Sequence, residues 1–152
     1  MTIEQELKTS RFQNDIQKAE LNIMFTASWL KMQVSKRLKE YDLTNEQFNV
    51  LRIIRGQAPH AVCVKDITER MIDRNSNTTR LLDKLAEKGL IWREPSAEDR
   101  RELCISLTKA GQQVLKKIDN REKKYTPNVS TGLTDLEAQL LNILLDKLRE
   151  TL

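Results

Sequence analysis

One short stretch breaks the rhythm of this chain. Almost everywhere else its apolar residues recur at three- and four-residue steps, the spacing of one face of an α-helix. Between Leu90 and Leu107 the step changes to two. Leu90-Ile91-Trp92-Arg93 and Leu103-Cys104-Ile105-Ser106-Leu107 read as two strands, the second alternating so that Leu103, Ile105 and Leu107 share a face. The nine residues between them, from Glu94 to Glu102, are polar and carry two arginines near the far end. The expected fold is therefore mainly α, with one small β-hairpin set into a series of helices.

The helices follow from periodicity and end signals. Phe12, Ile16, Ala19, Ile23, Ala27, Leu30, Val34 and Leu38 predict one long helix from about Thr9 to Tyr41. Met24, Phe25, Trp29 and Met32 widen its apolar surface beyond a single stripe, so this helix should touch more than one partner. Thr44 and Gln47 have the capping-box spacing and open a second helix, with Phe48, Leu51 and Ile54 inward and Gly56 as its expected end. Residues 57–60 read as a loop and Ala61 to Val64 as a short β-prone run. A third helix is expected over Lys65 to Met71, then a turn at Ile72 to Arg74. A fourth begins near Asn75 or Ser76 and runs to Lys88, with Leu81, Leu82 and Leu85 buried and Gly89 at the C-cap. After the hairpin, Thr108 opens a fifth helix to about Tyr125. Pro127 and Gly132 mark a break, and Thr134 with Glu137 caps a last helix bearing Leu136, Leu140, Ile143, Leu144 and Leu148.

Two short helices joined tightly and followed by a hairpin make the winged helix-turn-helix pattern. Its second helix begins Asn75-Ser76-Asn77-Thr78-Thr79-Arg80, six polar residues that are mediocre helix formers. Taken alone, this run is as compatible with a solvated N-cap cluster as with a groove-facing end. Placed in a helix-turn-helix just before a basic hairpin, it points to DNA. Asn and Arg can form bidentate bonds to base edges, and Ser and Thr can bond bases or phosphates. Lys84, one turn beyond Arg80, either reaches a phosphate or is solvated. On the hairpin, Asp99, Arg100 and Arg101 either form a solvated charged turn or supply arginines to the minor groove.

Several motifs then fall into one order. Thr79-Arg80-Leu81-Leu82-Asp83-Lys84-Leu85 is followed by Lys88-Gly89-Leu90-Ile91 and Arg93, by Asp99-x-Arg101, and by Leu107-Thr108 with Gly111. In this order and spacing the chain resembles the multiple-antibiotic-resistance regulator (MarR) family, and the helical extensions at both ends match too. The resemblance implies a single winged helix-turn-helix domain over 1–152. Its DNA-holding lobe would span 44–107, and N- and C-terminal helices over 9–41 and 108–152 would make a homodimer. It assigns Arg101 to the minor groove with Asp99 as its orienting partner. It places Ser76, Asn77, Thr79 and Arg80 at the major groove. The implied activity is transcriptional regulation, by repression at a pseudo-palindromic double-stranded DNA operator. The rival is a helical protein-interaction module, which explains the amphipathic ends but not the hairpin tip.

Charge is only mildly supportive. The chain carries +4 overall, and from Lys65 to Arg101 nine basic residues face eight acidic ones. From Lys109 to Lys124 there are six basic and two acidic residues, a cluster that either attracts DNA at long range or only solubilises the fifth helix. Two further functions are open. Cys63 and Cys104 fall on strands expected to pair, which makes them either a redox pair or plain strand residues. Phe25, Trp29, Met32 and Phe48 either line a pocket for a small aromatic ligand, a sensing mode the resemblance implies, or belong to the core. A lone His60 beside one cysteine makes no metal site. No phosphate-binding glycine loop or nucleophile triad appears, so neither cofactor nor enzyme activity is expected. The N-terminus is not a secretory signal and no apolar run spans a bilayer, so a soluble, cytoplasmic protein without membrane contact is expected.

Overall fold

The computed structural model describes residues 1–96, 102–125 and 132–150, the middle stretch with side chains as far as 121. Helix α1 spans Ile3–Leu7, α2 Asp15–Leu38, and a single 3-10 turn follows at Lys39–Tyr41. Then come α3 (Asn45–Gln57), β1 (Val62–Cys63), α4 (Val64–Arg70) and α5 (Thr78–Glu87). They are followed by β2 (Ile91–Pro95), β3 (Leu103–Leu107), α6 (Lys109–Tyr125) and α7 (Asp135–Glu150). The fold is mainly helical with one three-stranded antiparallel sheet of order β1-β3-β2. No described helix is long and apolar enough to cross a membrane.

Several boundaries differ from the sequence expectation, each for a local reason. The first helix begins at Asp15, not Thr9. The Asn14 side chain accepts the Gln17 N–H at 2.8 Å while the Gln17 side chain accepts the Gln13 N–H at 2.8 Å, a reciprocal cap that stops the helix from running back. Ahead of it lies the unexpected α1, opened where the Gln5 side chain accepts the Thr2 N–H at 2.9 Å, with Ile3 buried and Glu4 paired to Lys18. Gly56 does not end α3, which runs through Gln57. Pro59 stops the helix there, because it has no N–H to continue the ladder. α4 starts one residue early at Val64, so β1 shrinks to two residues. β2 starts at Ile91, since Leu90 closes the preceding helix instead.

Residues 1–114 form one compact unit. Its core gathers Val50, Leu51 and Ile54 of α3, Ile67 of α4, Leu82 and Leu85 of α5, and Val62, Ile91 and Ile105 of the sheet, all essentially buried. β3 is the central strand. Ile105 lies opposite Val62 on one side and Arg93 on the other. Leu103, expected inward with Ile105, is exposed because the hairpin extends past the core towards its polar loop. The Lys31–Glu46 ion pair (2.9 Å) and the Asn45 amide on the Lys31 carbonyl (2.9 Å) fasten α2 to α3. Residues 115–152 form the second unit, the rest of α6 and all of α7. Its Thr134–Glu137 capping box is in place, the Thr134 N–H donating to Glu137 Oε2 at 2.7 Å.

Candidate nucleic-acid interface

The approach to α5 is fixed by side chains. After α4 the Ile72 N–H donates to Asn49 Oδ1 of α3 at 2.9 Å. The Asn75 N–H donates to Asp73 Oδ1 at 3.0 Å and the Ser76 N–H to the Asp73 carbonyl at 3.2 Å, so residues 73–76 form a turn rather than helix. Asn77 is the N-cap, its Oδ1 accepting the Arg80 N–H at 3.0 Å. α5 therefore starts at Thr78, not near Asn75, because the short polar side chains compete with the helix for backbone groups.

Within the polar run the residues divide. Thr78 turns inward, only 6% exposed, and shares a 2.9 Å hydrogen bond with Thr68 of α4. That contact locks the two helices of the helix-turn-helix together. Its signal was present in the sequence: Thr78 precedes Leu82 and Leu85 by four and seven residues, the spacing of the buried face. Thr79, Arg80 and Lys84 are exposed, Asn77 is exposed at the cap, and Ser76 is half-buried in the turn. Lys84 already pairs with Glu87 at 2.8 Å.

The exit from α5 explains why the motifs occur together. Gly89, at φ 67°, allows a Schellman close. The Leu90 N–H reaches the Leu85 carbonyl at 3.0 Å and the Gly89 N–H reaches the Ala86 carbonyl at 2.9 Å. Lys88 pairs with the Asp42 carboxylate at 2.9 Å, and Arg93 of β2 reaches back to Asp83 of α5 at 2.8 Å. The Thr108 hydroxyl donates to the Gly89 carbonyl at 2.7 Å and accepts the Gly111 N–H at 3.0 Å. A Cβ on Gly111 would lie 2.2 Å from the Leu90 carbonyl oxygen, so only glycine fits. Asp83, Lys88, Gly89, Arg93, Thr108 and Gly111 are thus one brace that fixes the end and angle of α5. Sequence reading missed Asp83, Arg93 and Thr68 as positioning residues, since ion pairs across elements leave no local pattern.

Asp99, Arg100 and Arg101 lie outside the described residues. The base of their loop is closed by the Ser96 N–H on the Glu102 carbonyl at 2.8 Å. Of the four residues suggested for a ligand pocket, Phe48 is buried beneath Arg52, whose guanidinium sits 5.7 Å from the ring centre, and Phe25 is half-buried. Trp29 and Met32 are exposed. A shallow apolar groove runs elsewhere, along Ala86, Ile91, Trp92, Thr108 and Ala110, and takes none of these four. Cys63 and Cys104 are brought together as direct cross-strand partners, both half-buried free thiols. The Cys63 thiol donates to Glu102 Oε2 at 3.5 Å. Burial, the Glu102 carboxylate and the Cys104 thiol push Cys63 up to about 11. No group of three or more His, Cys, Asp or Glu among the described residues is placed to hold a metal ion.

Comparison with known proteins agrees with this geometry. Residues 43–103 match the MarR family. The transcriptional regulator MgrA of Staphylococcus aureus is 34% identical over 113 residues, 74% of each chain. The chain belongs to the MarR family. The matched span runs from just before α3 through α4, α5 and β2 to the first residue of β3. The transcriptional regulator PapX of Escherichia coli is 28% identical over 108 residues, 71% of this chain and 66% of that protein. Among solved structures, a mutant MarR from E. coli complexed with operator DNA superposes with a TM-score of 0.77 at 26% identity, covering 91% of this chain and 99% of that one. As a MarR-family protein the chain is a DNA-binding transcriptional regulator and not an enzyme.

Proposed function

We propose that this MarR-family chain is a repressor that binds a pseudo-palindromic operator as a homodimer in the cytoplasm. The observation that carries the reading is the division of α5. Thr78, Leu82 and Leu85 hold it to the core, while Thr79 and Arg80 stand exposed on a helix whose angle is braced at both ends. Two such helices would enter successive major grooves about 34–36 Å apart. The Arg100 and Arg101 loops would reach the flanking minor grooves, with Asp99 orienting Arg101. Residues 44–107 would hold DNA. Residues 9–41 and 108–152 would join two copies, which would cover the exposed apolar residues of α2 and α7. A small aromatic ligand, held near Phe25, Trp29, Met32 and Phe48, would release the operator by shifting the spacing of the two lobes.

The test begins with duplexes selected from a random pool. Arg80→Ala should relax sequence preference by about 1–3 kcal/mol at the contacted base. Arg101→Ala should weaken binding strongly without unfolding the chain. Unchanged affinity of Arg101→Ala at physiological salt would remove the wing from the reading. Absence of any salt-dependent affinity for duplex would remove DNA binding itself.

A further inference from the structure

Cys63 and Cys104 are the only cysteines in the chain, and the fold sets them face to face. Directly opposed residues of an antiparallel pair have Cα atoms about 4.5 or about 5.5 Å apart and send their side chains out of the same face. The neighbouring partners Val62 and Ile105 are buried, so the two thiols take the opposite, outer face of the sheet. The thiols interact with each other, and Cys63 also bonds Glu102. Glu94, the partner of Cys104 on β2, completes the row.

We propose that Cys63 and Cys104 form a vicinal dithiol that captures trivalent arsenicals, arsenite or its mono-organic derivatives. Thiolates, not thiols, attack hydroperoxides, and burial with the Glu102 carboxylate beside it holds the Cys63 thiol protonated near neutrality. A trivalent arsenic hydroxide needs no thiolate. Each thiol proton leaves with an arsenic-bound hydroxide as water. Two S–H and two As–O bonds break, two As–S bonds form and two waters depart, with no change of oxidation state. The third arsenic substituent stays in place. Because the sulfurs are preset across the strands, the second As–S bond forms within the chain at high effective concentration. Arsenous acid is uncharged near neutrality, so the Glu94 and Glu102 carboxylates do not repel it.

Capture ties β1, which leads directly into α4, to β3, which returns from the loop bearing Arg100 and Arg101. It also removes the thiol donor of Glu102. This regulatory half rests on the proposed operator binding: arsenic on the dithiol weakens the hold on DNA.

The experiment titrates the reduced full chain with an aryl arsenic(III) oxide and reads intact mass. The expected product carries one aryl-arsenic group per chain, blocks alkylation of both cysteines, and is reversed by a dithiol but not by a monothiol at equal sulfur concentration. Cys63→Ser and Cys104→Ser should each abolish this monothiol-resistant capture. Capture that survives in either variant, or a wild-type chain whose two thiols both alkylate while no arsenic adds, overturns the proposal. On a selected duplex the loaded wild type should bind about 5- to 150-fold more weakly, and Cys63→Ser should be unaffected by the reagent. Equal affinity of loaded and free wild type overturns the coupling to DNA. A chain that binds no duplex even without arsenic fails the operator reading instead, and the mass result then judges the dithiol alone.

Discussion

α5 and α7 are both amphipathic helices, and their apolar faces meet opposite fates. In α5 Leu82 and Leu85 are 2% and 0% exposed, locked between α3, α4 and the sheet. In α7 no described residue is buried, and Leu136 and Ile143 stand 78% and 63% exposed. α2 behaves like α7: Ile16, Met24, Trp29, Leu30 and Met32 are exposed and only Leu38 is buried. Equal apolar spacing therefore says that a face will be covered, not by what. The helix-turn-helix satisfies its faces within the chain. The terminal helices present apolar rows that another surface must cover, since isolated exposed apolar residues are ordinary but contiguous rows are not.

The sharpest way to break this contrast is a charge on the open face. Ile143→Glu should leave the secondary structure intact and convert a dimer to monomer in sedimentation. A carboxylate trapped unpaired in a subunit interface costs about 3–5 kcal/mol. A variant that sediments like the wild type would show that a second copy does not cover α7. The same kind of change on the closed face should act on folding instead. Leu85→Ala should lower unfolding free energy by about 2–5 kcal/mol in denaturant titration, because the cavity opens at a fully buried site. A loss under 1 kcal/mol would show that α5 is less firmly docked than its burial implies.

Smaller effects test the ends of the contrast. Asn77→Ala removes the cap of α5 and should cost about 1 kcal/mol. If Asn77 also reads a base, Asn77→Gly, which costs the cap only about a few tenths of a kcal/mol, should still weaken operator binding. The smallest effect is the α2–α3 pair. The Lys31 ammonium holds the Glu46 carboxyl below its ordinary value, and Glu46 raises Lys31 in turn. A carboxyl depressed in the folded state stabilises above its unfolded value and loses that contribution as pH falls through the folded one. Lys31 is the mirror case, its contribution being lost as pH rises through its raised value. Lys31 is largely solvent-facing, so solvent screening holds the whole contribution to at most about 1 kcal/mol. The difference in stability between wild type and Glu46→Gln should therefore fade on acidification; a difference that persists below pH 2 would place it in packing rather than charge.

Much of the site was legible because its signals are local. Gly89 marks a helix end whatever surrounds it, and the capping boxes at Thr44 and Thr134 work within four residues. The period change at Leu90 to Leu107 located the hairpin for the same reason. Where competing local signals overlapped, the sequence was ambiguous. Asn75, Ser76 and Asn77 are all competent caps, and only the bonds from Asn49 and Asp73 decided that Asn77 takes the role.

The sequence by itself determined the order of elements from the long α2 onward, the spacing of the motif residues around Gly89 and the existence of apolar faces wider than one stripe. Those properties depend on residues within a few positions of one another, where backbone geometry fixes who can meet. The tertiary structure decided what depends on residues far apart. It paired Arg93 with Asp83 and turned Thr78 inward against Thr68. It set Cys63 opposite Cys104 across forty-one positions of chain. It also closed one set of helical faces on the core and left the other open, because burial is a property of the neighbour as much as of the helix that carries the stripe.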